Sequence, residues 1–438
     1  MTQDPRDTLA RNAMTRAQIL VVAITVGLNA LDGFDVLAIS FASPGIAHDW
    51  GINRAALGVV LSMELIGMAI GSMLLGSVAD RIGRRYTVLG CLAVMTVGML
   101  MVTTAHDVVD LSVWRVITGL GIGGMLAAIN AVAAEFSNAR RRDLCVSLMA
   151  IGYPLGAVTG GTVAALLLER SGWRAVFSFG AAVTGLFIPV VLWLVPESVS
   201  WLCQKQPANA LARLNHSLAR IGHAVVAALP AAALPARHRS LVAIFQPGFA
   251  RITVLVTLAY FLHVTTFYFI IKWIPKIVVD MGFAPSAAAG VLVWANVGGA
   301  TGGAVLGLLT HRLGLKPLTI ALLIGSTAMV VVFGRGQADL QKLSLICALT
   351  GFCTNGAIVG IYAILARAFP TQLRATGTGF AVGTGRGGAI LAPIVAGYLF
   401  HTGYGLQFVA IAMGSGSLLA AVAIALLAVK PPEVAAVE

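Results

Sequence analysis

Two aspartates, Asp32 and Asp35, stand three positions apart inside a long apolar stretch near the start of the chain. Side chains at positions i and i+3 of a helix lie on the same face. Two carboxyls so placed in an apolar environment do not both ionise readily, because loss of hydration and mutual repulsion each favour the neutral form. Such a pair can take up a proton on one side of a barrier and release it on the other. The spacing therefore predicts proton coupling, with a structural pair held by neighbouring helix ends or by an arginine as the alternative.

Glu64 and Arg115 are two further ionisable residues inside apolar stretches. An ionisable residue at membrane depth is costly, so each is a functional candidate. Glu64 has apolar neighbours and is either a second proton carrier or a protonated hydrogen-bond donor between helices. Arg115 precedes a glycine-rich run that ends at Gly123, and its guanidinium needs an anion or a water-filled cavity. We expect Arg115 to serve proton coupling or structure rather than to contact a substrate.

Arg386 lies between Gly385 and Gly387 in another apolar stretch. A planar guanidinium flanked by glycines offers two parallel hydrogen bonds to a carboxylate, and an aromatic ring could lie along the exposed glycine backbone. No acidic residue falls inside any predicted helix of the second half of the chain. A protein partner would therefore have to come from the first half, and we predict a substrate carboxylate as the partner of Arg386.

Other polar residues in apolar stretches complete the predicted substrate site. Asn355 suits a substrate hydroxyl or a bond between helices, and His263, which shares its stretch with Tyr260 and Tyr268, suits a ring contact, a proton relay or a satisfied structural histidine. The predicted substrate-binding residues are Arg386, Asn355, His263, Tyr268 and Asp32. Lys272, near the end of the same stretch as His263, would reach the membrane interface beside an aromatic belt or attract anions into an entrance.

The elements that must position these residues are membrane helices. The chain is 58% hydrophobic and 11% charged, with a mean hydropathy of +0.91, whereas a soluble domain carries about 25% charged residues. A membrane helix needs ~20 predominantly apolar residues. The stretches of that kind cover residues 17–41, 55–78, 86–105, 110–135, 144–168, 173–194, 251–273, 286–309, 317–334, 341–366, 376–400 and 405–428. We predict an all-α membrane protein with twelve transmembrane helices.

The net charge of +12 would also suit a nucleic-acid-binding protein, so the positions of the 29 Lys and Arg residues decide. With the N terminus in the cytoplasm, the residues on the opposite side are Arg54, Arg170, Arg174, Lys276, Arg335 and Lys342. Arg115, Lys272 and Arg386 lie inside predicted helices, and all the others lie on the cytoplasmic side. This is the positive-inside bias, so the charge reports membrane topology rather than nucleic-acid binding.

A charged loop of the form G-x-x-x-D-R-x-G-R-R joins the second and third predicted helices, and a degenerate copy begins at Gly307 in the second half. One turn repeated in two halves of a membrane protein indicates a duplicated transporter. We predict that this loop gates the path by charge-assisted contacts and that Asp80 also caps a nearby helix N terminus. The gating residues are Gly76, Asp80, Arg81, Gly83, Arg84 and Arg85.

The predicted domains are an N-terminal six-helix bundle over 1–202, a cytoplasmic linker with a short amphipathic helix over 203–249, and a C-terminal six-helix bundle over 250–438. No P-loop occurs, so active transport would use an ion gradient. The five cysteines form no C-x-x-C pair and no nucleophile–base set occurs, so we expect no metal site, no cofactor and no enzymatic activity. The run from Gly152 to Gly161, which contains Pro154, predicts a hinge or a close packing contact.

These residues resemble the major facilitator superfamily across nearly the whole chain. The loop from Gly76 to Arg85, the run from Arg115 to Gly123, and Pro196-Glu197-Ser198 before Trp201 are similar to its motifs. Three segments are similar to the bacterial aromatic acid:proton symporters: Asp32 to Asp35, Gly385-Arg386-Gly387, and the run from Gly152 to Gly161. That family includes permeases for 4-hydroxybenzoate, protocatechuate, benzoate and vanillate.

The resemblance implies two six-helix bundles with alternating access, transport roles for Asp32, Asp35 and Asp80, and a substrate carboxylate at or near Arg386. We expect a monomer in the bacterial inner membrane, with both termini cytoplasmic, that imports a small aromatic carboxylate with protons. Glu64 and Lys272 depart from the family pattern and could indicate a dicarboxylate such as muconate. The same fold would also suit a proton-coupled exporter, and the same cavity would suit a membrane sensor of aromatic acids.

Overall fold

The computed structural model describes residues 4–230 and 241–427, and within those ranges every regular element is helical. The first helices are α1 (Pro5–Arg11), α2 (Arg16–Trp50), α3 (Arg54–Ile82), α4 (Arg84–Val102), α5 (Val108–Glu135), α6 (Arg142–Arg170), α7 (Trp173–Leu194), α8 (Val199–Lys205) and α9 (Ala210–Arg220). The others are α10 (Ala250–Asp280), α11 (Pro285–Leu313), α12 (Leu315–Gly334), α13 (Leu340–Ala368), α14 (Thr371–His401) and α15 (Leu406–Ala425). Residues 231–240 of the predicted linker and Lys430 lie outside the described residues.

Twelve of these helices, α2 to α7 and α10 to α15, are long and apolar enough to cross a membrane. Each overlaps one of the twelve predicted stretches, so that prediction is confirmed. Several are longer than predicted, and the largest extensions are those of α2, which continues through Pro44, and of α10, which continues through Pro275. A proline removes one backbone hydrogen bond, but neighbouring helices keep a membrane helix intact around it.

Three short α-helices accompany the membrane helices within the described residues. The predicted amphipathic helix is confirmed as α9, in which Leu214 and Leu218 are buried. The seven-residue helices α1 and α8 were not predicted. Each begins with a side-chain cap, from Asp4 in α1 and from Ser198 in α8, and such a cap supports a helix too short to be recognised by periodicity.

Glycines bring α3 and α5 into backbone contact. A Cβ at Gly119 of α5 would lie 2.1 Å from the carbonyl oxygen of Glu64, and one at Gly67 of α3 would lie 2.1 Å from that of Val116. A side chain at either position would force the helices apart. The glycine-rich run after Arg115 therefore holds α5 against the part of α3 that contains Glu64.

The same arrangement recurs between α11 and α13. A Cβ at Gly298 would lie 1.8 Å from the carbonyl oxygen of Ala348, and one at Gly351 would lie 1.8 Å from that of Ala295. This repeated helix pair agrees with the duplication that the repeated charged loop indicates.

The chain divides into two compact units. The first holds α1 to α9 together with Lys272–Val293, and the second holds α10 up to Ile271 and the described chain from Trp294 onward. Helix α10 thus starts in the second unit and ends in the first. The predicted boundaries at 202 and 250 follow chain order alone and stay a prediction.

Candidate functional site

Asp32 and Asp35 lie in the middle of α2 and are buried, at 2% and 0% exposure. Within the described residues, none of their four carboxylate oxygens has a hydrogen-bond partner. Helix α2 packs directly on α6, since a Cβ at Gly33 would lie 2.0 Å from the carbonyl oxygen of Tyr153 and one at Gly156 would lie 1.8 Å from that of Ala30. The glycine run of α6 therefore has the packing role that was one of its two predicted roles.

Glu64 is shared by two buried cations. Its Oε2 forms an ion pair with the guanidinium of Arg115 and lies 3.4 Å from Nζ of Lys272, and all three side chains have no exposed surface. Its Oε1 has no hydrogen-bond partner among the described residues. The Lys272 ammonium also donates to the carbonyl oxygen of Val36, next to Asp35. The prediction that Lys272 reaches the membrane interface is wrong, because this lysine is a partner of Glu64.

Arg115 connects this ion pair to the aspartates of α2. Its Nη2 donates to the carbonyl oxygen of Asp35 at 3.1 Å, and its Nη1 lies 3.5 Å from Sδ of Met99. The guanidinium carbon lies 5.4 Å from the centre of the Phe177 ring. Arg115 also interacts electrostatically with the Asp35 carboxyl, whereas Asp32 interacts with Asp35 and Glu64. The structure thus brings together all four residues that were predicted to couple protons.

Arg386 lies in α14 within electrostatic reach of Tyr260, a residue that the predicted site did not include. A Cβ at Gly385 would lie 2.0 Å from the Tyr260 ring, so α14 packs directly against that side chain of α10. The hydroxyls of Tyr260 and Tyr362 are hydrogen-bonded at 2.7 Å, and Tyr260 is within electrostatic reach of Arg386. Arg386 is half-buried and forms no hydrogen bond or ion pair with any residue in the described ranges.

The remaining predicted substrate contacts have different surroundings. Both ring nitrogens of His263 are engaged, Nδ1 with Ser417 Oγ and Nε2 with the Thr354 carbonyl oxygen, each at 2.8 Å. Asn355 Nδ2 donates to the Gly299 carbonyl oxygen at 2.7 Å and so joins α13 to α11. These contacts fit the structural alternatives that were considered for both residues. Tyr268 is half-buried and packs edge-on against the Phe267 ring, 5.3 Å between centroids.

The charged loop between α3 and α4 forms an ion-pair network within the first unit. Arg84 contacts Asp80 at 2.7 Å and Glu135 of α5 at 3.2 Å. Arg85 donates to the carbonyl oxygen of Leu192 in α7 at 2.5 Å. Arg81 is exposed, and Gly76 has room for a side chain, since an added Cβ would come no closer than 4.0 Å to Ala127.

The predicted capping role of Asp80 is wrong, because Glu197 caps α4. Glu197 Oε1 accepts hydrogen bonds from the backbone amides of Arg84 at 2.9 Å and Arg85 at 3.2 Å. Gly83 precedes this helix with φ of +110°, and an added Cβ would lie 2.3 Å from Glu197 Oε2. The Pro196-Glu197-Ser198 motif was the available signal, but only the fold brings it to the start of α4.

Among the described residues, no group of three or more His, Cys, Asp or Glu side chains is arranged to hold a metal ion. In the first unit, Glu64 is instead paired with Arg115 and Lys272, whereas the Asp32 and Asp35 carboxyl oxygens have no hydrogen-bond partner among the described residues.

A sequence model described as the Major Facilitator Superfamily matches residues 25–338 and 256–438. The chain belongs to this superfamily. It is 30% identical to the gallate transporter of Pseudomonas putida over 427 residues, which cover 96% of this chain and 94% of that protein. It is 32% identical to the 4-hydroxybenzoate transporter PcaK of Pseudomonas aeruginosa over 405 residues, 90% and 89% of the two chains.

The fold of this superfamily member is also that of a solved transporter structure. The inward-open conformation of the xylose transporter XylE from Escherichia coli matches with a TM-score of 0.72 and 18% sequence identity, over 95% of this chain and 97% of that one. The family resemblance that the motifs indicated is therefore confirmed, and so is the predicted twelve-helix fold. This major facilitator protein is a multi-pass membrane transporter and not an enzyme.

Proposed function

We propose that this protein is a proton-coupled symporter that imports a small hydroxylated aromatic carboxylate across the bacterial inner membrane, with both termini in the cytoplasm. The observation that supports the substrate class most directly is Arg386. It is a guanidinium at membrane depth with no ion pair among the described residues, and it lies beside the Tyr260 ring. A charge at that depth needs an anionic partner, and a carboxylate matches its planar fork.

The relatives support the aromatic part of the proposal. Gallate and 4-hydroxybenzoate, which two relatives transport, are both benzoates with ring hydroxyls. The Tyr260 ring lies against Gly385, so that glycine does not offer the exposed backbone that the sequence led us to expect for a substrate ring. One proton of the Tyr260 and Tyr362 hydroxyls is used in the bond between them, so the pair can donate one further hydrogen bond and accept others, which suits a phenolic hydroxyl.

Proton coupling is assigned to Asp32 and Asp35. Their carboxylates are buried with no hydrogen-bond partner in the described chain, so carrying a proton relieves the cost of holding two neighbouring negative charges there. In the proposed cycle, protonation of this pair accompanies substrate binding at Arg386 and permits the conformational exchange. Release of the proton and the substrate to the cytoplasm resets the carrier. The ion pairs of Arg84 with Asp80 and Glu135 act at the gate.

The contacts of Lys272 count against a dicarboxylate such as muconate. An additional cation near a substrate site would favour a second carboxylate. The Lys272 ammonium is already held by Glu64 and by the Val36 carbonyl oxygen, and it has no exposed surface. We therefore assign a monocarboxylate.

The test is uptake of labelled 4-hydroxybenzoate, protocatechuate and muconate into proteoliposomes under an inward proton gradient. We expect accumulation of the two hydroxybenzoates above the external concentration, and collapse of that accumulation with a protonophore. Uptake that only equilibrates would contradict coupling, and preferred uptake of muconate would contradict the monocarboxylate assignment. Gradient-driven loss from preloaded vesicles, without uptake, would establish an exporter instead.

A further inference from the structure

Five buried ionisable side chains form one cluster in the first unit, which we call the charge cluster: Asp32, Asp35, Glu64, Arg115 and Lys272. They come from four helices, and none is more than 2% exposed. Glu64 contacts both cations, and Arg115 also donates to the backbone carbonyl oxygen of Asp35. Asp32 interacts electrostatically with Asp35 and Glu64. The Cys91 thiol of α4 is another titratable group that interacts electrostatically with Asp32.

The charge cluster is not balanced when all its members are ionised. Three carboxylates face two cations, which leaves one negative charge. Burying a net charge away from water is costly even after the protein relaxes. A single added proton removes that charge, and the two aspartates are the members whose carboxylate oxygens have no hydrogen-bond partner within the described residues.

Lys272 decides this balance. Without it, three carboxyls would face Arg115 alone, and neutrality would need two protons. Without Glu64, two aspartates would face two cations, and neutrality would need none. Without both Lys272 and Glu64, two aspartates would face one cation, and the need for one proton would return.

We propose that Lys272 is a positioning residue that sets the proton stoichiometry of transport at one, as the second cation of a charge cluster that must be neutral while buried. The inference rests on the proposed proton-coupled function and adds the number of protons and the residue that determines it. In this proposal Glu64 is the shared partner of the two cations rather than the proton carrier, because its Oε2 contacts both of them.

The experiment measures the steady-state accumulation of labelled 4-hydroxybenzoate in proteoliposomes, with the membrane potential clamped at zero by potassium and valinomycin. The logarithm of the inside-to-outside ratio of the anion is plotted against the imposed pH difference, and the slope is the number of protons per substrate. The proteins are the wild type, Lys272→Met, Glu64→Gln and the double variant. Lys342→Met, at an exposed lysine, is the matched control.

Charge balance predicts slopes of about one for the wild type, about two for Lys272→Met, about zero for Glu64→Gln and about one again for the double variant. Lys342→Met keeps the slope of the wild type, and Lys272→Arg, which retains the positive charge, does so too. A merely structural role for Lys272 would lower the amount of active protein without changing the slope.

Several outcomes would overturn the inference. These are a wild-type slope of about two, a Lys272→Met slope of about one, or a double variant that exchanges substrate but does not regain coupling. If Lys272→Met does not fold, the comparison of Glu64→Gln with the double variant decides, because both carry a neutral side chain in place of Glu64. Absence of accumulation by the wild type would contradict the proposed function itself, which distinguishes the two failures.

Discussion

Glu197 binds the start of α4 through the backbone amides of Arg84 and Arg85, at 2.9 and 3.2 Å. The acid follows the sixth membrane helix in the chain, yet it satisfies the N terminus of the third. An anion at a helix N terminus is stabilised both by the free amides and by the helix dipole. This contact fixes the charged loop between α3 and α4, which contains the proposed gate.

The first prediction concerns the pH dependence of stability. Burial raises the pKa of the Glu197 carboxyl above its ordinary 4.5, and hydrogen bonds from the amides of Ser198, Arg85 and Arg84 oppose that shift. The native state therefore keeps this proton to a higher pH than the unfolded chain does. The stability that the protonated Glu197 carboxyl contributes is present below pH 4.5 and is lost as the pH rises through the raised pKa.

The measurement compares the thermal midpoint of the detergent-solubilised wild type with that of Glu197→Gln as the pH is raised from about 4, below the ordinary pKa of glutamate. We expect the difference, wild type minus variant, to fall across the window just above that ordinary pKa, because glutamine does not titrate. A difference that grows with pH would mean that the amides, and not burial, dominate at Glu197.

The second prediction concerns Gly83, which combines a φ of +110° with close contact to Glu197. Gly83→Ala should destabilise the protein by about 1–3 kcal/mol, because alanine disfavours that backbone conformation and its Cβ would collide with the cap. The matched control is Gly90→Ala in α4, where no atom lies within 4 Å of an added Cβ. The control should be neutral or more stable by roughly 0.5–1 kcal/mol. Equal thermal midpoints for the two variants would contradict the cap geometry.

The third prediction concerns Arg386. Arg386→Ala should weaken binding of 4-hydroxybenzoate by about 10- to 100-fold, since hydrogen bonds to a charged group contribute about 1.5–3 kcal/mol. Arg386→Lys should lose less, because it keeps the charge but not the planar fork. Calorimetry or scintillation proximity measures the affinity, with Arg335→Ala, at an exposed residue of the same unit, as the control. Unchanged affinity in both Arg386 variants would remove the carboxylate assignment.

The fourth prediction concerns Asp32. Asp32→Asn should abolish gradient-driven accumulation while keeping exchange of labelled for unlabelled substrate, because the variant can bind and reorient without taking up a proton. Asp143→Asn, at an exposed aspartate in α6, should accumulate substrate like the wild type. Full accumulation by Asp32→Asn would exclude this carboxyl from coupling.

The sequence by itself determined the class of protein and the candidate residues for transport. Hydrophobic length fixed the twelve helices, because a bilayer accepts only segments of that length and composition. The cost of charge at membrane depth identified Asp32, Asp35, Glu64, Arg115 and Arg386 as candidates. Both inferences depend on local composition, which the order of residues contains directly.

Only the tertiary structure decided which of these residues are partners. Lys272 and Glu64 are far apart in the chain, and nothing near Lys272 indicates a buried ion pair. Likewise, Glu197 and not Asp80 caps α4, and Tyr362 is hydrogen-bonded to Tyr260. Pairing depends on which helix faces meet, and glycines such as Gly119 and Gly385 set those meetings through close contact. A contact between distant segments is a property of packing, so local pattern alone could not predict it.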